Sequence, residues 1–309
     1  MKTKKILIQN WNGVLNDLES ELILRGHTIL ANDGNQDNFK KADLILTWCE
    51  MENGGWREVV RRAHKYKKKV ILFQHGRRAV SRIYPPFNEQ LESDLVCVWG
   101  ENDKKRIMEV GVPEKKIRII GCPLFKHLKP RVGHKEINVV FSPDHWEQDI
   151  EENLIIADEL RKLKGVNIIT KTLKGVQNDD LYDNPVSSDR QSPDHMSIVA
   201  DVLSRADVVV SLSDATFELL AESLDIPVVS VDFWIPRSAG GDDKYKEYKK
   251  PFSTATTVVK NIKDLNKAIY FAIENPDHLH DERIKEVIGD GGLENGGVVY
   301  DVISLIENI

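Results

Sequence analysis

The chain has 309 residues, of which 30% are charged and 41% hydrophobic, and it carries a net charge of −6 at pH 7. That length holds two α/β domains, each with its own core, and that charge provides no global field drawing nucleic acid or an anionic membrane. No apolar run approaches the roughly 18 residues needed to cross a bilayer, and the opening MKTKK leads straight into a strand without a signal-peptide apolar region. Cys49, Cys97 and Cys122 lie in or beside apolar runs with no C-x-x-C spacing. Buried free thiols are therefore expected, rather than disulfides or zinc ligands, in a cytoplasmic protein.

Ile6 to Gln9 reads as the first strand, followed by the turn residues Asn10, Asn12 and Gly13 and a helix ending at Gly26. Thr28 to Ala31 and Asp43 to Thr47 are the next strands. Between Trp56 and Lys69 the apolar positions Trp56, Val59, Val60, Ala63 and Tyr66 follow helical spacing, while Arg57, Arg61, Arg62, Lys65, Lys67, Lys68 and Lys69 point largely elsewhere. This basic set reads as a solvated face, with contact to an anionic acceptor or a membrane surface as the alternative. Three apolar runs, Val70 to Phe73, Leu95 to Trp99 and Ile117 to Ile120, then stop abruptly at Gly or polar residues, as parallel strands do. At the first of these ends sit Gln74, His75 and Gly76. A titratable imidazole delivered to the carboxyl end of a buried strand is placed for chemistry, and capping of a solvent-facing turn is its simpler use. The alternation up to Pro123 predicts a parallel, doubly wound sheet.

Phe125 to Lys135 lacks periodicity and reads as the connection between an N-terminal domain, 1–128, and a C-terminal domain, 136–309, whose closing helix is free to pack back on the first. Asn138 to Ser142 restarts the alternation. A helix with Ile156, Leu160 and Leu163 follows, then a strand at Asn167 to Thr170 and a polar stretch from Gly175 to Asp194 that reads as a surface loop. A helix with Met196, Ala200 and Leu203 leads to the strand Asp207 to Leu212. A helix near Thr216 to Leu224, the strand Val228 to Val231, and helices near 263–274 and 297–309 complete the chain.

The chemistry-bearing residues gather at strand ends. Ser211, Ser213 and Thr216 cluster where a strand passes into a helix, where unpaired amides and the helix dipole favour phosphate. A helix N-cap is the other use for Ser213, Asp214 or Thr216, and Asp214 would repel a diphosphate. Glu218 and Glu222 lie four apart on one helix face. They read either as a ribose contact or as a solvated pair. His145 and Trp146 follow the strand ending at Ser142, and Lys171 and Lys174 follow the next, supplying positive charge. The Asp-rich stretches NDDLYD and GGDD read as solvated turns, so no metal site is expected.

The stretches FQHG, DLVCVWGENDKKRIMEVGVPEKKIRIIGCP, ADVVVSLSDATFELLAESLDIPVV and GGLENGGVVYDVISLI, in this order, resemble the GT-B superfamily. Within it the chain is most similar to the branch of CDP-glycerol glycerophosphotransferases, capsule polysaccharide glycosyltransferases and non-hydrolysing UDP-N-acetylglucosamine 2-epimerases. The resemblance implies an α/β protein of two Rossmann-like domains facing a cleft. Acceptor contacts would come from Asn12, Gly13, Gly76 and Arg77 in the first domain, and the second would hold a nucleotide diphosphate-sugar, UDP-linked by preference, with no cofactor required. His75 matches the H-G motif whose His is a proposed base. His145 matches the first position of a donor loop from which Trp146 and Gln148 depart. The helix carrying Glu218 runs slightly longer than in many members, which shifts the ribose contact toward Glu222.

The activity implied is metal-independent, inverting transfer of a sugar to an acceptor hydroxyl on a glycan, a lipid-linked intermediate or a modified nucleic acid. A glycerophosphotransferase, an epimerase and a non-catalytic nucleotide-sugar binding protein are the alternatives. The stretch TKTLKG lacks the His of the H-P motif common in glycerophosphotransferases.

Overall fold

The computed structural model describes residues 3–9, 16–30, 36–48, 50, 56–74, 91–109, 111–143, 150–189, 192–212, 215–231, 254–288 and 298–309. By its contacts the chain divides into two compact units, Met1–Pro123 with Asp290–Ile309, and Leu124–Gly289.

In the first unit the short apolar runs become strands β1 (Lys5–Gln9), β2 (Thr28–Leu30), β3 (Leu44–Thr47), β4 (Lys69–Phe73), β5 (Leu95–Val98) and β6 (Ile117–Ile119). They pair in parallel in the order β2-β1-β3-β4-β5-β6. Central strands such as β3 are buried along their whole length, as expected of a parallel sheet covered on both faces. Side chains alternate between two cores. Ile6, Ile8, Leu44, Leu46, Ile71 and Phe73 meet Leu18 and Leu22 of helix α1 (Asn16–Leu24). On the other face Leu7, Ile45 and Val70 meet Phe39 of α2 (Gln36–Lys41) and Val60 and Ala63 of α3 (Trp56–Lys65). Ile107 of α4 (Glu101–Glu109) packs with Leu72, Val96 and Val98.

The second unit is built from β7 (Ile137–Ser142), α5 (Ile150–Leu160), β8 (Val166–Leu173), β9 (Pro185–Ser188), α6 (His195–Ser204), β10 (Val208–Ser211), α7 (Ala215–Ser223), β11 (Val228–Val231), β12 (Thr256–Val259) and α8 (Leu265–Glu274). Its strands are again all parallel, in the order β12-β11-β10-β7-β8-β9. Helices α5 and α8 cover the face bearing Val139, Phe141, Val208 and Val210. The short helix α9 (His280–Arg283) is held by Arg283, whose buried guanidinium donates to Asp225 Oδ1 at 2.6 Å and to the carbonyls of His278 and Pro276 at 2.7 Å each. Asp225 has left-handed φ of 57° and closes α7, with the amide of Ile226 donating to the Ala221 carbonyl.

Several elements differ from the sequence expectation. The stretch read as a loop from Gly175 to Asp194 contains β9, a strand that opens on Pro185 at the outer edge of the sheet, where the missing amide costs no ladder bond. β12 lies outside the expected strands altogether. NDDLYD is a turn, with Asp179 accepting from Thr172 Oγ1 at 2.6 Å and Asp183 paired with Arg161 at 2.8 Å. GGDD lies outside the described residues. The connecting stretch is tied to the second unit by the Val132 amide on the Ser204 carbonyl and by Arg131 on Asp207.

The last helix, α10 (Val298–Asn308), returns to the first sheet, where Val302, Ile303 and Ile306 join the core of Ile6, Leu44 and Ile71. Lys4 Nζ donates to the Ile306 carbonyl at 2.8 Å. Replacing fully buried Ile303 by Ala is expected to lower the stability of the first unit by about 3 kcal/mol. Urea unfolding followed by a probe in that unit checks this, and an unchanged midpoint would refute the packing.

Candidate functional site

Strand order decides where ligands can collect in a parallel sheet. Where the order reverses, successive connections leave to opposite faces and a crevice opens outside the carboxyl ends of the two central strands. In the second unit, counted from β7, the order is that of dinucleotide-binding sheets, and the reversal falls between β7 and β10.

The register lines up polar side chains there. Ser142 at the end of β7 pairs with Ser211 at the end of β10, and Ser211 pairs with Ser230 of β11. The register of β7 with β8, carried one residue past Phe141 and Thr170, sets Lys171 beside Ser142. The result is a transverse row, Lys171, Ser142, Ser211 and Ser230, across four adjacent strands. All four are buried. They lie on the face opposite Phe141 and Val210, the side that α7 covers by packing on β10 and β11. Lys171 Nζ donates to the Thr172 carbonyl.

Helix α7 starts just after β10, so its first-turn amides and the positive end of its dipole sit at the same edge. Thr216 is half-buried in this first turn. Glu218 and Glu222 are both buried, which rules out the solvated pair and gives each its own neighbour. Glu218 accepts from Ser230 Oγ at 2.7 Å, near the carboxyl end of β11. Glu222 accepts from Thr256 Oγ1 at 2.5 Å, at the first residue of β12 and so toward the amino edge. One helical turn thus separates a carboxylate at the switch point from one remote from it.

In the first sheet the reversal falls between β1 and β3. Thr47 Oγ1 donates to Gln9 Oε1 at 2.9 Å across it, both side chains buried. Gln74, directly after β4, is a fully engaged buried amide. Its Nε2 donates to Asp103 Oδ2 at 3.0 Å, its Oε1 accepts the Trp99 amide at 3.0 Å, and its own amide donates to the Cys97 carbonyl at 2.9 Å. The chain leading into His75 is therefore fastened to β5 and α4.

Of the residues the sequence singled out, His75, Gly76, Arg77, Asn12, Gly13, His145, Ser213 and Asp214 lie outside the described residues. Lys171 and Ser211 belong to the transverse row that spans the switch point of the second sheet, Thr216 lies in the first turn of the helix that follows β10, and Glu218 bonds to Ser230 of the row, whereas Glu222 bonds to Thr256 at the start of β12. Cys97 and Cys122 are buried and outside any disulfide, and burial pushes the Cys97 thiol up to about 12, well removed from a nucleophile. Among the described residues no group of three His, Cys, Asp or Glu is arranged to hold a metal ion, and no helix is long and apolar enough to cross a membrane.

Sequence reading missed Glu50. It is fully buried beyond β3 and accepts the amides of Glu92 and Ser93, at 2.5 and 3.1 Å, and Ser93 Oγ at 2.5 Å. It thereby fixes the chain as it re-enters β5. A lone acidic residue just past an apolar strand was the only signal for it.

No family model matches the sequence, and no curated protein matches it. Solved structures do. A UDP-GlcNAc 2-epimerase from Neisseria meningitidis bound to UDP-GlcNAc matches over 100% of both chains, with a TM-score of 0.64 at 13% identity. HepE (Alr3699) of Anabaena in complex with UDP-glucose matches over 99% of this chain and 100% of its own, with a TM-score of 0.56 at 10% identity. A glycosyltransferase from Rickettsia africae matches over 100% and 99%, with a TM-score of 0.55 at 11% identity. These similarities give the chain the GT-B fold.

The Glu50 carboxyl is held above its ordinary value of 4.5 by burial, against the pull of Ser93, the Glu92 and Ser93 amides and the Arg57 charge. The folded state binds this proton more tightly than the unfolded chain, so raising the pH from 4.5 through the elevated folded value removes stability. Urea midpoints should fall with pH over this window more steeply in the native chain than in Glu50→Gln. Parallel profiles would contradict the assignment.

Proposed function

We propose that the chain is a glycosyltransferase that moves a sugar from a UDP-sugar to an acceptor hydroxyl, without a metal and with inversion. The observation that carries this reading is the strand reversal between β7 and β10, which lies beside the serine row and the start of α7. The diphosphate would lie on the first-turn amides of α7 with Ser211, Ser213 and Thr216 as hydroxyl donors. Lys171 and the helix dipole would supply the positive charge that a metal supplies elsewhere. The position of Glu218 at the carboxyl edge favours it over Glu222 as the acceptor for the ribose hydroxyls. Glu222 serves instead to hold β12 through Thr256.

His75 is proposed as the base. As the acceptor oxygen attacks the anomeric carbon, the imidazole takes its proton, the bond to the diphosphate breaks, and UDP leaves with the electron pair. An imidazole with a reference pKa near 6.5 suits that task at neutral pH. His145 belongs to the donor side and Asn12, Gly13, Gly76 and Arg77 to the acceptor side, by the resemblance of their motifs. Neither Glu218 nor Glu222 has a second glutamate seven residues downstream, the spacing common in retaining members, and this supports inversion.

A thermal-shift panel of UDP, GDP, CDP, dTDP and ADP with their sugars tests donor binding. UDP at a hundred times its Kd should stabilise the chain by about 2.7 kcal/mol, a shift of several degrees. Glu218→Gln should weaken that shift, whereas Glu222→Gln should lower the baseline Tm and leave the shift intact. His75→Ala should keep the UDP shift and slow transfer by about 10²-fold to 10⁴-fold. Stabilisation by CDP-glycerol alone would point to glycerophosphate transfer, interconversion of UDP-sugars without acceptor to an epimerase, and binding with no turnover to a binding protein.

A further inference from the structure

We propose that the amino-terminal rim of the first sheet docks on an anionic phospholipid bilayer. This inference is independent of the catalytic reading, because it concerns the opposite edge of the strands.

Parallel pairing brings every strand start to one edge, so turns far apart in sequence become neighbours. Lys5 opens β1, and Lys40 and Lys41 end α2 just before β3. Lys65 and Lys67 precede β4, which opens on Lys69. Lys115 precedes β6. All of these side chains are exposed. The order β1-β3-β4-β5-β6 strings them into one band. With neighbouring strands about 4.8 Å apart, the band runs roughly 19 Å.

Other cations nearby are committed to the protein. Arg61 pairs with Glu92 at 3.0 Å, buried Arg57 approaches the same carboxylate at 4.0 Å, and Arg62 lies over the Phe39 ring. Lys116 donates to the Ser93 carbonyl, and Arg118 of β6 donates to the Lys115 and Ile117 carbonyls at 3.0 and 2.7 Å. The carboxylates of the rim are engaged too. Asp43 accepts the Lys5 amide, Asp94 accepts the Val70 amide and faces His64, and Glu114 pairs with Lys104 at 2.8 Å, while Asp37 pairs with Lys40 at 3.0 Å and so engages that lysine of the band as well.

Two further observations favour a bilayer over a soluble polyanion. Exposed apolar side chains flank the band: Ile23 and Leu24, 53% and 81% exposed, at the end of α1 beside β2, and Met108 at the end of α4 beside β6. A headgroup layer accepts such side chains, and a polyanion has no use for them. Charge is also divided unevenly. Residues 1–123 with 290–309 hold 22 Lys and Arg against 20 Asp and Glu, while 124–289 hold 21 against 29. An anionic surface therefore attracts the first unit and repels the second. Each basic residue near such a surface contributes about 1 kcal/mol within a Debye length of about 8 Å.

Vesicle sedimentation of the full chain tests this, with vesicles of equal parts phosphatidylglycerol and phosphatidylcholine beside vesicles of phosphatidylcholine alone. Binding should occur only to the first and weaken at least tenfold in high salt. The combined variant Lys40→Glu, Lys67→Glu, Lys69→Glu, Lys115→Glu should lose about a hundredfold or more in partitioning with its circular dichroism and Tm retained. Leu24→Ser should lose a few-fold without changing the salt dependence. Reversing Lys162, Lys164, Lys263 and Lys267 of the second unit should not weaken binding. The proposal is overturned by absence of binding at low salt, by equal binding to neutral vesicles, by a rim variant that binds as before, or by polyphosphate capturing the chain when vesicles do not.

Discussion

Parallel pairing is the constraint on which the rest of this molecule depends. Every observed strand pair in both sheets is parallel, so each sheet has one edge where strands end and another where they begin. Backbone crossing from one edge to the other passes over a sheet face, through a covering helix such as α1, α5 or α7, and between β8 and β9 through the turn at Asp179–Leu181. Helix starts and strand ends, with their unsatisfied amides, therefore share the carboxyl edge. Helix ends and strand starts, with their carbonyls, share the amino edge, where lysines complement the dipole. The chemistry and the basic band are separated by this sorting before any individual side chain is considered.

At the carboxyl edges the buried polar groups are placed where loops leave the sheets. Gln74 fastens the exit of β4 and Gln9 with Thr47 the reversal of the first sheet, while Glu50, just past β3, holds the residues that lead into β5 from the other edge. In the second sheet Glu218 with Ser230 does the same beside the serine row. Leaving such a group without its partner costs about 1 to 3 kcal/mol, so each bond specifies one geometry for the loop it holds. The carboxylates of this kind are oriented mainly by hydroxyls and amides.

Much of the architecture was legible because buried parallel strands are short apolar runs with sharp polar ends. Ile6 to Gln9, Val70 to Phe73 and Asn138 to Ser142 announced themselves in this way. β9 and β12 did not. PVSS opens on proline at a sheet edge, and TTVV is followed by Lys260 and Asn261, so neither contrasts with its surroundings as a central strand does. The clustering of Ser211, Thr216 and Glu218 was readable from local order along one strand-turn-helix unit. The registration of Ser142 with Ser211 was not, since it joins residues 69 apart through the strand order alone. Burial of Glu222 was equally hidden, because its hydroxyl partner lies on a strand the sequence did not disclose.

The most direct test of the central claim is hydrogen exchange of the full chain with and without UDP. The account predicts slowed exchange in peptides that cover Ser142 and Leu212 to Leu220, with the amino edge of the second sheet around Asn138 and Asn167 unaffected. Protection confined to that amino edge, or to the first sheet, would contradict it.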